Sequence, residues 1–352
     1  MFNLYNAQFQ GLVLHRVGNK NRNEPLQLSA SPLRLDDEIS GLLKSYFFTP
    51  FTQREENYFH FTHEADLEFN PIYNAAKSIF NSPETLQEQS VAIATHLYGQ
   101  SNHPHINSGE LYVAVFEDVL IDKEKVSAIG IFKSEVKQDF FEFDWDQENL
   151  NISVRKGISV QKLDKGCLIF NTGEENGYKV LSVDRNRYDA KYWPEDFLSI
   201  SALKDENFQT KNYLKFCKDF AKEVILPTED KQQEVLFLNR AVNHFASRDQ
   251  FEESHFLNDV LENPELIPEF KNYKVNKGPK YSIEDVSEFP IANKAVSDIR
   301  KKFRNEIHLD TNIHIKLDFI NPESAEKFVE KGWDEERQMY YYLVYFNRET
   351  KS

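Results

Sequence analysis

The chain has 352 residues and a formal net charge of -15, which excludes a histone-like wrapping role driven by global charge, because net negative charge repels phosphate backbones. Apolar residues make up 40% and aromatics 14%, enough to bury substantial cores and to exclude global disorder. Gly and Pro are too few for collagen-like or low-complexity character.

The length predicts two domains. In the first, "FQGLVLHRV" (9–17) reads as an apolar strand running into a turn at Gly18 and Asn19. "LDDEISGLLKSYF" (35–47) predicts a helix with Ile39, Leu42, Leu43, Tyr46 and Phe47 on one face and Asp36 or Asp37 as its cap. Pro71 opens a second helix with Ile72, Ala75, Ala76, Ile79 and Phe80 at helical spacing, and a third carries Leu86, Ile93, Ala94 and Leu97. From Gly109 the period changes. "ELYVAVFEDVLI", "SAIGIFKSEV", "NISVRKGISV", "GCLIFNT" and "YKVLSVDR" predict an antiparallel meander, with Asn176–Gly177 as a turn. A helix is expected to begin near Pro194.

The second part turns helical. In "NYLKFCKDFAKEVIL", Tyr213, Phe216, Cys217, Phe220 and Val224 form a core stripe that Pro227 is expected to end. Thr228 is placed to cap the next helix, with Val235, Leu238, Val242 and Phe245 as its stripe. "SRDQ" reads as a capping box, Ser247 with Gln250, before a helix containing Phe251, Phe256 and Val260. Residues 271–290, with "NKGP", look loop-like. "NIHIKLDFI" alternates Ile313, Ile315, Leu317 and Phe319 inward, and "MYYYLVYF" (339–346) reads as its partner strand. The expected architecture is α+β: residues 1–205 hold N-terminal helices with an antiparallel sheet, and 206–352 form a mainly helical part ending in a small helix-plus-hairpin unit.

The chemistry-bearing patterns are sparse. There is no Walker loop, GxGxxG, GxSxG or HExxH. A restriction-type nuclease needs an acid two residues before the Lys that faces the attacked phosphate. Ile131 stands there, two residues before Lys133, which is then expected to be a solvated strand lysine. His103 and His105, and His60 and His63, read as loop histidines, and Cys167 and Cys217 as buried, reduced thiols. No catalytic residue, metal site or cofactor is assigned. "MFNLYNAQFQ" lacks a basic stretch followed by an apolar one, and no stretch approaches the roughly 18–20 apolar residues of a membrane span, so a soluble intracellular protein is expected. Tyr188, Tyr192 and Trp193, in "YDAKYWPEDFL", are candidates for an interaction surface, with packing of a strand end against a helix as the alternative.

The strongest binding signal is "KAVSDIRKKFR" (294–304). On a helix, Val296, Ile299 and Phe303 form one buried stripe. Lys294, Arg300, Lys301, Lys302 and Arg304 are then candidates for contact with phosphates, and Asp298 is the only acid among the eleven residues. The competing interpretation is a helix face turned to water or to an acidic surface. Arg240 and Arg248 are weaker additions.

The order of several segments resembles the bacterial nucleoid-associated protein family typified by NdpA/YejK: "LVLHRVGN", "LYVAVFEDVLI", "GCLIFN", "YDAKYWPEDFL", "KFCKDFAKEV", then "FPIANKAVSDIRKKFRNEIHL" leading into "IHIKLDFI". The resemblance spans most of the chain. It implies a cytoplasmic protein found with the bacterial chromosome and no accepted catalytic site. The function expected is sequence-nonspecific association with double-stranded DNA or the chromosome, direct or indirect. The alternatives are an acidic adaptor for a DNA-organising or DNA-topology protein, and a divergent metal-dependent nuclease. A homo-oligomer is left open.

Overall fold

Alternating apolar residues that are buried on both faces of a strand place a sheet between two layers. The computed structural model describes residues 2–52, 57–146, 149–185, 191–228, 231–261, 263–303, 306–316 and 328–348. It is an α+β protein that divides into two compact units, Met1–Leu203 and Lys204–Ser352.

In chain order, the first unit contains β1 (Phe2–Asn3), β2 (Gln8–Val17), α1 (Asp37–Thr52), β3 (Phe59–Phe61), α2 (Pro71–Asn81), α3 (Leu86–Gln100), β4 (Gly109–Ile121), β5 (Glu124–Ser134), β6 (Lys137–Asp146), β7 (Asn149–Ile158), β8 (Lys165–Phe170), β9 (Lys179–Asp184) and β10 (Ile200–Ala202). Its antiparallel sheet runs β1-β4-β5-β8-β9-β3-β10, with β2 also paired to β4. Along β4, Leu111, Val113 and Val115 join the core under α2 and α3, which contribute Ile72, Ala76, Ile93 and Leu97. The intervening Ala114 and Phe116 face α1, whose Phe47 stacks on Phe132 at 4.0 Å between ring centroids. Asn70 caps α2, accepting from the Ile72 and Tyr73 amides at 2.9 and 3.0 Å. Gly177, in the β8–β9 connection, has φ +87° and lies where a Cβ would stand 2.4 Å from the Phe61 carbonyl oxygen, so the expected Asn-Gly turn needs glycine there.

Two expectations for this unit change. Helix α1 buries its C-terminal half, Tyr46, Phe47, Phe48 and Phe51, and reaches Thr52. Ile39 and Leu42 are 46% and 49% exposed, because its first turns, capped by Asp36, project past the sheet residues that cover the later ones. The meander is also interrupted. β5 pairs directly with β8, while β6 and β7 form a separate two-stranded ribbon. Polar and charged residues alternate with apolar ones along β6 and β7, so neither strand has the two apolar faces that a central strand of this sheet requires.

The second unit contains α4 (Glu206–Phe220), a π-helical turn (Ala221–Ile225), α5 (Leu226–Thr228), α6 (Lys231–Ala246), β11 (Gln250–Glu252), α7 (Glu253–Val260), α8 (Leu266–Tyr281), β12 (Glu288–Pro290), α9 (Asn293–Arg300), β13 (Glu306–His308), β14 (His314–Lys316), β15 (Val329–Asp334) and β16 (Met339–Val344). Its core is aromatic: Tyr213, Phe216, Phe220, Phe245, Phe251 and Phe256 are all fully buried. Tyr213 and Phe251 stand 4.3 Å apart.

Helical backbone continues past Pro227 to Thr228, since the wide π turn lies where proline withdraws an amide donor. Residues 229–230, which would carry the Thr228 cap, lie outside the described residues. Ser247 donates to the His244 carbonyl rather than forming a capping box, and Gln250 and Phe251 belong to β11. Residues 271–281 are the body of α8, not a loop, because Phe270, Tyr273, Gly278 and Tyr281 supply a buried helical stripe. Pro279 falls in its last turn, where the cost is one hydrogen bond. At the C-terminal end β14 pairs with β13, and β16 with β15, so among the described residues the two predicted strands are not partners. Each instead has a near neighbour in sequence that closes a local hairpin. Ile313 is 56% exposed, and Leu317 and Phe319 lie outside the described residues.

His244 offers a pH test of the second core. Its side chain is 2% exposed, and the Phe256 ring stands 5.4 Å away. Burial, and then the Arg248 charge, push its pKa down from 6.5 to about 4. The unfolded chain therefore binds a proton below about pH 6.5 that the folded chain refuses. The contribution of a neutral His244 is complete above that value and falls as pH drops toward 4, by up to about 1.4 kcal/mol per pH unit. Urea unfolding of the natural chain and of His244→Phe is expected to differ by on the order of 2 kcal/mol more at pH 7 than at pH 4.5; a difference independent of pH would contradict this.

Candidate nucleic-acid interface

The basic stretch begins as α9. Its stripe buries Ala295, Val296 and Ile299, and Phe303 follows in the turn after the helix, 9% exposed. These side chains join the aromatic core of the second unit, and α9 packs on α4 and α6. Burial of each large apolar side chain contributes roughly 1.5–3 kcal/mol. The Ala292 amide donates to Thr210 Oγ1 at 3.1 Å and fixes the start.

With that face committed, Lys294, Arg300, Lys301 and Lys302 are exposed. The helix stops at Arg300 instead of running through Arg304, which lies outside the described residues. Arg300 and Lys301 sit at the negative end of the helix dipole, worth about 0.3–1 kcal/mol for a cation. Neither has a carboxylate within 4.0 Å among the described residues. The neighbouring hairpin β13–β14 places Glu306, His308, His314 and Lys316 on the face opposite the buried Ile307.

The weaker additions are used internally. Arg240 Nε donates to the Val260 carbonyl at 3.1 Å, and Arg248 pairs with Asp259 at 2.9 Å. Sequence reasoning missed a cavity of about 550 Å³ that includes Lys231, His308, Lys331, Trp333, Tyr340 and Tyr342 in its lining. Rings interleaved with cations were the signal that could have found it.

Tyr192 and Trp193, of the aromatic segment in the first unit, do not form a surface. Tyr192 is 3% exposed and Trp193 fully buried, because the π-helical turn Tyr192–Phe197 folds them onto the sheet. Trp193 Nε1 donates to the Gly166 carbonyl at 3.4 Å, and Tyr192 Oη lies 2.9 Å from Ser101 Oγ. Tyr188 lies outside the described residues.

Lys133 is likewise buried, not solvated. Its Nζ donates to Glu135 at 2.9 Å and to the Asn107 carbonyl at 2.7 Å. Lys165 pairs with Asp184 at 2.8 Å, and both ammonium groups stand against the Tyr192 ring, at 5.6 and 5.7 Å. Asp164 accepts the Glu135 and Val136 amides at 2.6 and 3.1 Å. Burial pushes the Lys133 ammonium down and the Asp164 carboxyl up. A Lys133 committed in this way has no open path to a phosphate. The apolar run Ala128–Phe132 was the signal, since both faces of β5 are buried and Lys133 continues the strand.

His60 Nδ1 lies 3.0 Å from the Asn176 carbonyl, and His63 Nδ1 accepts the Ala65 amide at 3.2 Å. Among the described residues no cluster of three or more His, Cys, Asp or Glu could hold a metal ion, and no helix is long and apolar enough to cross a membrane. Cys167 and Cys217 are free and buried, and burial raises both thiols.

A family model described as nucleoid-associated protein YejK matches residues 13–340. No curated protein matches the chain.

The basic face is separable from the fold that presents it. Chemical denaturation should show Ile299→Ala costing about 2–5 kcal/mol, and Arg300→Glu or Lys301→Glu costing less than about 1 kcal/mol. Comparable losses from the two kinds of change would contradict the division into a packed stripe and an exposed cationic face.

Proposed function

The chain belongs to the nucleoid-associated protein YejK family, and from that premise we propose that it binds duplex DNA directly, without reading sequence, through the segment Lys294–Arg304. Membership carries association with the nucleoid. The observation that supports direct contact is the orientation of the basic segment: its apolar stripe is buried while Lys294, Arg300, Lys301 and Lys302 are exposed. Phosphate contact releases condensed counterions and needs no defined base edge, so long, flexible cationic side chains on a short helix and turn suffice. The net charge of -15 limits productive approach to this local surface and disfavours wrapping.

The same acidic balance supports a second mode, in which carboxylates outside the segment bind a basic DNA-organising protein and chromosome association is indirect. The two modes separate cleanly. In fluorescence anisotropy with duplexes of unrelated sequence, the natural chain should bind each with similar affinity. Arg300→Glu combined with Lys301→Glu should weaken binding at least about 10-fold, like charges facing phosphate where attraction stood. Unchanged affinity in the double variant would overturn direct contact through this segment. Partner proteins retained after nuclease digestion would support the adaptor.

A further inference from the structure

The ribbon β6–β7 presents a face whose outer three residue pairs are all apolar. Its register pairs Phe141 with Val154, Phe143 with Ile152, and Trp145 with Leu150. Strand alternation puts these six side chains on the same side. Their exposures run from 55% at Leu150 to 68% at Trp145. The other side is largely polar, with Glu142 paired to Arg155 at 2.6 Å. The ribbon is not a strand of the main sheet, because β5 pairs with β8 directly.

An isolated two-stranded ribbon is marginal in water, and a contiguous apolar patch of this size on a monomer marks an interaction site. Large apolar side chains of about 150–250 Å² each, exposed to the extent given, amount to roughly 600–700 Å². Two such faces together would bury about 1,200–1,400 Å², which reaches the lower range of stable protein interfaces.

We infer that the occupant is a second copy of this chain, with the two ribbons stacked by their apolar faces about a two-fold axis running along the strands. That operation lays β6 of one copy over β7 of the other. The rings of Phe141, Phe143 and Trp145 then meet the aliphatic Val154, Ile152 and Leu150 of the partner copy. At the base of the same face, Asp139 and Lys156 are opposite in register, with Nζ 4.0 Å from Oδ1. The axis carries Asp139 of each copy over Lys156 of the other, so the face complements itself in charge as well as in shape. DNA is a poor occupant, since none of the six central residues is cationic, and its recognition belongs to the basic segment instead.

Sedimentation equilibrium of the full chain at about 1–100 µM tests the inference. The natural chain is expected to reach twice its mass of 41.3 kDa. Phe143→Asp combined with Ile152→Asp, and separately Trp145→Asp, should each sediment as a monomer and keep the far-UV circular dichroism of the natural chain, since these side chains are outside the cores. A chain carrying Asp139→Lys and a chain carrying Lys156→Asp should each dimerise at least 10-fold more weakly than the natural chain, and an equimolar mixture should recover. A monomeric natural chain, or a dimer that survives both apolar-to-Asp variants, would overturn the inference. Failure of the mixture to recover would overturn the two-fold axis. Duplex affinity of the monomeric variant, measured per basic segment, separates a failed dimer from a failed DNA contact.

Discussion

Burial of Val296, Ile299 and Phe303 in an aromatic core decides what the basic segment can do. Val296 and Ile299 on α9, with Phe303 in the turn that follows, leave one orientation for the segment, and its described cations turn outward. No attraction to DNA is needed to build this surface. It follows from removing the stripe from water, and the helix dipole adds a small preference for Arg300 and Lys301 at the C-terminal end.

Arg300 and Lys301, with no carboxylate within 4.0 Å among the described residues, differ from several cations elsewhere in the second unit. Arg248 is matched to Asp259, Lys277 to Glu223, Lys280 to Asp219 and Lys274 to Glu253. The first unit goes further and buries Lys133 and Lys165 with carboxylate partners around Tyr192. Removing one member of such a buried pair would leave an uncompensated charge, at a cost of about 3–5 kcal/mol. These lysines hold structure together. The run from Lys294 to Arg304 has a single acid, Asp298, among eleven residues.

Much of this was legible in the residues. Helix α2 and the strands β4, β5, β8 and β9 declare themselves because they bury apolar side chains in strict phase. What escaped has a common physical cause: local signals lost to packing. "NKGP" looked like a breaker, yet Phe270, Tyr273 and Tyr281 bury a helical stripe that outweighs one proline. "SRDQ" had the composition of a capping box, but Phe251 is held in β11 against Phe289 of β12. The apolar rows of β14 and β16 could not reveal their partners, since strand pairing depends on which neighbour closes the shorter loop. At the candidate site the exposed cations followed from helical phase. The burial of Tyr192 and Trp193 did not, because it depends on a π-helical turn that no local pattern announces.

The salt dependence of duplex binding tests the central claim most directly. If four or five cations of the basic segment contact phosphates, a plot of log affinity against log salt should have a slope of roughly -4, and the slope should become shallower by about one for each cation replaced by Ala. A slope near zero, or one that is unchanged when Arg300 and Lys301 are replaced, would contradict phosphate contact through this segment.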